Sequence, residues 1–295
     1  MGITVGTKFF LGLLWLIHFL PRRGIALCGW VIGILFFLFS KERRSVVNTN
    51  LSLCFPAVCS NRRKRLVFRH FLSLGRAISE SSVAWWSGEK AIKQLAIIEG
   101  KEILDRTLSE GPVIVLAPHF VGVEILGIRL SIEENAQSMY SQQKDPFLNK
   151  FLISRRTRFR NIRLVSRQDG IKDVIRSLKA RLPLFFLPDM DFGRKDAIFV
   201  PFFGVKAATV DAVPRLAALT KAKVIPVTIT QGRINDPYVI RFFEPWKQYP
   251  SNDLYADTTQ MNKFIEEQVI PVPEQYYWVH KRFKTLPDKN EPPRY

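Results

Sequence analysis

The sequence predicts an α/β fold: a mostly parallel central sheet flanked by helices, preceded by an N-terminal hydrophobic membrane-anchoring helix or helix pair. Three observations carry this prediction. From Gly111 onward, short runs rich in β-branched and aromatic residues alternate with helix-period segments, and such alternation builds parallel sheets covered by helices. Residues 9–40 read "FFLGLLWLIHFLPRRGIALCGWVIGILFFLFS", with Arg22 and Arg23 as the only full charges. The 295 residues are 47% apolar and 24% charged, the composition of a chain that folds.

The apolar run comes first. Phe9 to Leu20 is too short to cross about 30 Å of hydrocarbon, and the uncharged segment from Gly24 to Ser40 is at the low end of what suffices. A proline and two arginines interrupt the run near its middle, where charge is costly in a bilayer. The sequence therefore predicts either one tilted, kinked span or a helix pair embedded from one face. Lys41, Arg43 and Arg44 follow the run while only Lys8 precedes it, which places everything after residue 40 in the cytoplasm. No small-residue cleavage site precedes a polar start, so the run is expected to be retained. The three cysteines, Cys28, Cys54 and Cys59, lack the spacing of a disulfide framework or a zinc site.

After this anchor (residues 1–40), residues 41–110 read as a basic helical region. Leu66, Phe68, Phe71, Leu72 and Leu74 fall near helical spacing, and Arg62, Arg63, Lys64 and Arg65 crowd the start of that helix. Residues 111–295 form the α/β core. Strands are expected at Val113 to Leu116, Ile162 to Val165, Leu184 to Leu187, Val224 to Thr228 and Val239 to Phe243. Helices are expected at Val121 to Leu130, Pro146 to Phe159, Gly170 to Leu182 and Val210 to Lys221. Sites in such sheets form beyond the carboxyl ends of the strands, and His119 and Asp189 both fall there.

With 44 Lys and Arg against 26 Asp and Glu, the net charge is +18, which calls for a polyanionic partner. Given the anchor, that partner is expected to be an anionic membrane and not nucleic acid, and each basic residue near such a surface contributes about 1 kcal/mol.

Four stretches carry candidate chemistry. In "APHFVGVEILG", residues 117–127, His119 precedes Glu124 by five positions. Two helical residues so spaced lie about 140° apart, so the histidine must sit in the turn before a helix, from where Glu124 can reach back to the ring. A carboxylate on one ring nitrogen makes the other a better base for removing an alcohol proton, and turn amides can steady the oxyanion. In "LPDMDFGRKDAIFVPFFGVKAATV", residues 187–210, Asp189 and Asp191 flank a single residue. They suit either a divalent metal on a nucleotide-sugar phosphate or pairing with arginine. Arg155, Arg156, Arg158, Arg160, Arg163 and Arg167 lie within thirteen residues without an acid, a pattern that favours an anionic counterpart such as phosphate. In "PVPEQYYWVHKRFKTLP", residues 271–287, aromatics interleave with Lys281, Arg282 and Lys284, as at a membrane interface. His280 is a rival base there, without a neighbour in sequence to orient it.

Together these stretches, with "NLSLCFP", "FLSLGRAISESSVAWW" and "LAALTKAKVIPV", resemble in order the lipid A biosynthesis acyltransferases, the lauroyl/myristoyl branch of the lysophospholipid acyltransferase superfamily. The terminal "PPRY" looks like the lauroyl members. The resemblance implies transfer of a fatty acyl chain from acyl carrier protein to the 3-hydroxyl of an acyl chain on a Kdo-bearing, phosphorylated lipid A precursor, at the cytoplasmic face of the bacterial inner membrane. It maps a His-x-x-x-x-Asp/Glu motif onto His119, as general base, and Glu124, as its orienting acid. It implies no cofactor or metal beyond the thioester co-substrate. Arg167, Asp189, Asp191, Gly204 in the "PFFG" loop, Lys281 and Arg282 become candidates for binding substrate groups. The alternatives are another glycolipid or phospholipid acceptor, or a metal-dependent membrane glycosyltransferase using Asp189 and Asp191.

Overall fold

The computed structural model describes residues 2–166, 170–195 and 197–295. The apolar run folds as two helices, α1 (Gly2–Ile17) and α2 (Arg22–Phe39). Pro21 separates them, since a residue without an N–H cannot continue the first helix. Helix α3 (Lys41–Cys54) follows, then the long α4 (Ser60–Trp86).

Helix α2 packs antiparallel along α4 through glycine. A side chain at Gly75 of α4 would overlap the backbone of Gly29 and Gly33 on α2, and one at Gly33 would overlap the Phe71 carbonyl. Such close approach lets Phe36 and Phe37 meet Phe71 edge-on, with centroids at 5.2 and 5.7 Å. The outer side of α1, α2 and the turn between them stays uncovered: Phe9, Leu16, Phe19, Leu27, Val31, Leu38 and Phe39 are exposed. Among the described residues α2 alone is long and apolar enough to cross a membrane.

The core then alternates: α5 (Glu89–Leu95), β1 (Ala96–Glu99), α6 (Lys101–Glu110), β2 (Val113–Leu116), α7 (Val123–Glu133), β3 (Ala136–Tyr140), α8 (Pro146–Arg156), β4 (Ile162–Ser166), α9 (Lys172–Lys179) and β5 (Leu184–Phe186). After these come the hairpin strands β6 (Ala197–Phe202) and β7 (Val205–Val210), then α10 (Ala212–Thr220), β8 (Lys223–Thr230), β9 (Tyr238–Phe242) and α11 (Leu254–Val269). A 3-10 turn at Pro273–Gln275 leads into the C-terminal segment.

Seven strands form one sheet in the order β1-β9-β8-β2-β5-β3-β4, and β6-β7 pair separately. All neighbours in the large sheet are parallel except β8 and β9. The seven-residue connection between those two strands is too short for a crossover, so the chain returns as a hairpin. Central β2, "VIVL", is buried at every residue, as a strand covered on both faces must be. Three pairings depart from the sequence expectation. The region 41–110, read as a basic helical region, also contributes edge strand β1. Strand β3, "AQSMY", is short and weakly patterned, and the apolar loop expected around "PFFG" is the β6–β7 hairpin.

Candidate active site

Register places the site. Leu116 of β2 pairs with Phe186 of β5, and the Ala117 N–H bonds the Phe186 carbonyl at 3.0 Å. Running parallel, the two chains leave the sheet side by side, and each bears a chemical side chain three residues on: His119 and Asp189. The turn after β2 is held by the C-terminal segment. The Tyr277 N–H donates to the His119 carbonyl at 2.9 Å, and the Val121 N–H to the Gln275 carbonyl at 2.8 Å.

The His119 ring donates through Nδ1 to Asp189 Oδ1 at 2.6 Å. Asp189 Oδ2 accepts the His119 backbone N–H and the Tyr276 hydroxyl, both at 2.9 Å. The aspartate side chain is 1% exposed and the histidine 18%. Burial works to raise the Asp189 pKa, but the charge of His119, its two hydrogen bonds and that of Tyr276 outweigh it and hold the carboxyl at about 2. Burial and the same negative charge push the Tyr276 phenol well above its usual value, so it remains a donor. With Nδ1 donating, the basic lone pair resides on Nε2, and among the described residues no group bonds that nitrogen. His119 lines a narrow cleft with Asp189, Asn50, Tyr277, His280 and Arg282.

The expected His119–Glu124 contact gives way to Asp189. Glu124 sits in the first turn of α7, pointing to neighbouring helices and not back at the ring. Its carboxylate accepts from Arg156 through Nε at 3.0 Å and Nη2 at 2.6 Å, and from the Trp85 indole at 3.0 Å. A fork-to-fork guanidinium pair outcompetes a neutral imidazole for a half-buried carboxylate. Burial acts against the Arg156 charge, yet Glu124 outweighs it and the guanidinium pKa is raised.

The arginine run is likewise occupied within the fold. Arg158 donates to the Ala84 and Ser87 carbonyls at 3.1 and 2.7 Å, capping the end of α4, where carbonyls lack helical partners. Arg160 bonds the Ile132 carbonyl at 2.9 Å, and Arg163 bonds Ser177 and Asp173. These guanidiniums satisfy helix ends and carboxylates within the fold. Arg167 lies outside the described residues.

Asp191 shares no hydrogen-bond partner with Asp189 among the described residues. It is buried and accepts from the Gly193 N–H, the Thr285 N–H and the Thr285 hydroxyl, each at 2.8 Å. Its role is to lock the loop after β5 to the C-terminal segment. Gly204 forms the β6–β7 turn, where Phe203 and Gly204 have φ of 50° and 76°. Two consecutive left-handed residues define a tight hairpin, so the turn itself accounts for the glycine. Lys281 pairs with Glu42 at 3.1 Å. Arg282 is buried and donates to the Ala208 carbonyl and the Thr209 hydroxyl, both at 2.7 Å. Tyr276, Trp278 and Phe283 are core residues, where the sequence pattern had suggested an interfacial belt.

The sequence reading missed Tyr276 as a partner of Asp189, and Asn50, whose amide holds the Trp278 and His280 carbonyls at 2.7 and 2.8 Å. The signal for Asn50 was a polar residue amid the apolar positions of "NLSLC"; Tyr276 carried none beyond its aromatic run.

Nearly the whole chain, helices α1 and α2 included, aligns with known proteins. Residues 2–285 match the profile of the bacterial lipid A biosynthesis acyltransferases. The chain belongs to that family. It is 30% identical to the lipid A biosynthesis palmitoleoyltransferase of Escherichia coli K12, over 95% of this chain and 92% of that protein. It is also 30% identical to the lauroyltransferase of the same organism, over 97% and 93%, and to its myristoyltransferase, over 83% and 76%. Among solved structures it is similar to the 1-acyl-sn-glycerophosphate acyltransferase PlsC of Thermotoga maritima, with a TM-score of 0.38, 16% identity and coverage of 83% and 96%. The chain thus belongs to a family of acyltransferases of lipid A biosynthesis, and its histidine cleft is the candidate place for acyl transfer.

Proposed function

We propose that this lipid A acyltransferase moves a fatty acyl group from a thioester on acyl carrier protein to the 3-hydroxyl of an acyl chain on a Kdo-bearing, phosphorylated lipid A precursor. The observation that carries the reading is the His119–Asp189 pair, with a bare Nε2 at a cleft. His119 Nε2 takes the hydroxyl proton as the oxygen attacks the thioester carbonyl. The new C–O bond forms, the C–S bond breaks, and the leaving thiolate takes the proton back from the ring. Asp189 keeps the ring in the productive tautomer and stabilises the transient imidazolium. No cofactor enters these steps.

The surroundings support a lipid acceptor and an acidic donor. The exposed apolar side of α1 and α2 suits insertion into lipid. Helix α3 starts at Lys41, where α2 ends, and Asn50 on α3 lines the cleft, so the site lies roughly 14 Å along a helix from the apolar face. The net charge of +18 would draw both lipid phosphates and an acidic carrier protein to the cytoplasmic side.

The test is transfer in detergent from lauroyl-acyl carrier protein to a Kdo-bearing lipid A precursor, to other phosphorylated glycolipids and to a lysophospholipid. His119→Ala is expected to remove at least about 10³-fold of the rate in a protein that still folds. Full activity of that variant, or preference for the lysophospholipid, would overturn the reading.

A further inference from the structure

A second histidine shares the cleft. The Asp191 backbone N–H donates to His280 Nε2 at 2.9 Å, and a ring nitrogen that accepts carries no proton. The ring is therefore neutral, with its proton on Nδ1. Among the described residues Nδ1 has no acceptor, although the His280 main chain is fixed by Asn50 and the side chain lines the same cleft as His119. Sequence reading set His280 aside because nothing adjacent orients it; the orienting group is a backbone amide 89 residues away.

Next to it lies a cation without a counterion. Arg282 is 2% exposed and lines the cleft. Its two terminal nitrogens bond neutral oxygens, no carboxylate pairs with it among the described residues, and its Nε has no partner. A buried, unpaired guanidinium is unfavourable in the resting protein and complements negative charge that arises only during a reaction.

Resting on the acyl-transfer reading, we propose that His280 is a catalytic residue which donates a hydrogen bond from Nδ1 to the thioester carbonyl oxygen as it becomes an oxyanion, with the fixed charge of Arg282 behind it. The ring donates a hydrogen bond and transfers no proton; the proton moves only between the hydroxyl, His119 and the leaving thiol. Burial, then the Arg282 and Lys284 charges, hold the His280 pKa at about 4, so the neutral donor ring persists at neutral pH.

Two substitutions separate catalysis from structure. His280→Gln places an acceptor near the Nε2 position, keeping the Asp191 N–H satisfied, and removes the donor at the δ position. His280→Asn does the opposite. Transfer is measured on the full chain with lauroyl-acyl carrier protein and, separately, lauroyl-coenzyme A, alongside thermal unfolding. The expected result is a kcat loss of about 10²–10³-fold for Gln, with KM within about threefold and an unchanged midpoint. Asn should keep kcat within about tenfold but melt lower. A wild-type kcat in the Gln variant, or kcat losses that follow the melting midpoints in both variants, would overturn the proposal. Transfer from coenzyme A alone would overturn the carrier-protein reading and leave the ordering of the two variants readable.

Discussion

The proposed catalytic pair depends on a contact that sequence spacing cannot show. Two carboxylates are candidates for orienting His119, Asp189 across the sheet and Glu124 five positions on in sequence. Asp189 meets the ring at 2.6 Å from a buried position, whereas Glu124 is neutralised by Arg156. Asp189→Asn should therefore lower kcat by about 10²–10⁴-fold, because an amide can donate to Nδ1 and trap the wrong tautomer. Glu124→Gln should act mainly through the α7–α8 contact, with a smaller kcat loss and a lower melting midpoint; paired kinetics and melting curves check this, and a larger kcat loss in Glu124→Gln would reverse the assignment. His70 gives a pH prediction. It is fully buried on α4, donates through Nδ1 to the Glu274 carbonyl at 2.9 Å, and leaves Nε2 unpartnered. Burial lowers its pKa to about 4, below the roughly 6.5 of an unfolded chain. Its contribution to stability is complete above pH 6.5 and is lost as pH falls from there to about 4, where the folded state can take the proton too. His70→Asn keeps the donor to Glu274 and removes the titration. Its melting midpoint should fall less steeply between pH 6.5 and 4 than that of the unmodified chain.

At the scale of elements, much of the architecture was legible because strand and helix periods alternate. What stayed hidden were pairings between distant segments. The expectation that His119 and Asp189 follow strand ends was sound, but which strand neighbours which is set by the β2–β5 register, and no local pattern encodes that. The partners of the arginine run were hidden for the same reason: the carbonyls that Arg158 caps, at the end of α4, lie more than 70 positions away. Glycine at the α2–α4 contact likewise reads locally as a helix weakness and is in fact the packing device. Gly75→Ala should destabilise by about 1–3 kcal/mol through overpacking. Gly127→Ala, on α7 with nothing within 4 Å of the new methyl, should stabilise by up to about 1 kcal/mol. Thermal melts of the two variants must shift in opposite directions; a neutral Gly75→Ala would refute the interlock.

At the scale of the molecule, composition predicted an anchor but left its pose open, because hydropathy says nothing of what a helix leans on. The structure ties both ends of α2 to the α/β core. At the start, Arg22 donates to the Asn235 carbonyl at 3.1 Å and Arg23 to the Asn235 side chain at 3.0 Å. Just past the end, Arg43 donates to the Val279 carbonyl at 3.1 Å. Along its length α2 lies on α4, which carries Arg76 and Glu80 as a buried ion pair and bonds the loop after β8. A helix crossing a bilayer would have to drag those polar groups and the attached core into hydrocarbon, where satisfied charges are still strongly disfavoured. An in-plane pose costs nothing of the kind: the outer faces of α1 and α2 enter one leaflet, and the basic core stays in water. The prediction is that the α1–α2 turn and the catalytic core share one side of the membrane. With Cys28, Cys54 and Cys59 changed to serine, Leu20→Cys should react with a membrane-impermeant maleimide in inside-out vesicles and stay unlabelled in right-side-out ones. Labelling from the outside would mean that the chain spans, and the helix contacts that tie α2 to the core would then have to come apart on insertion.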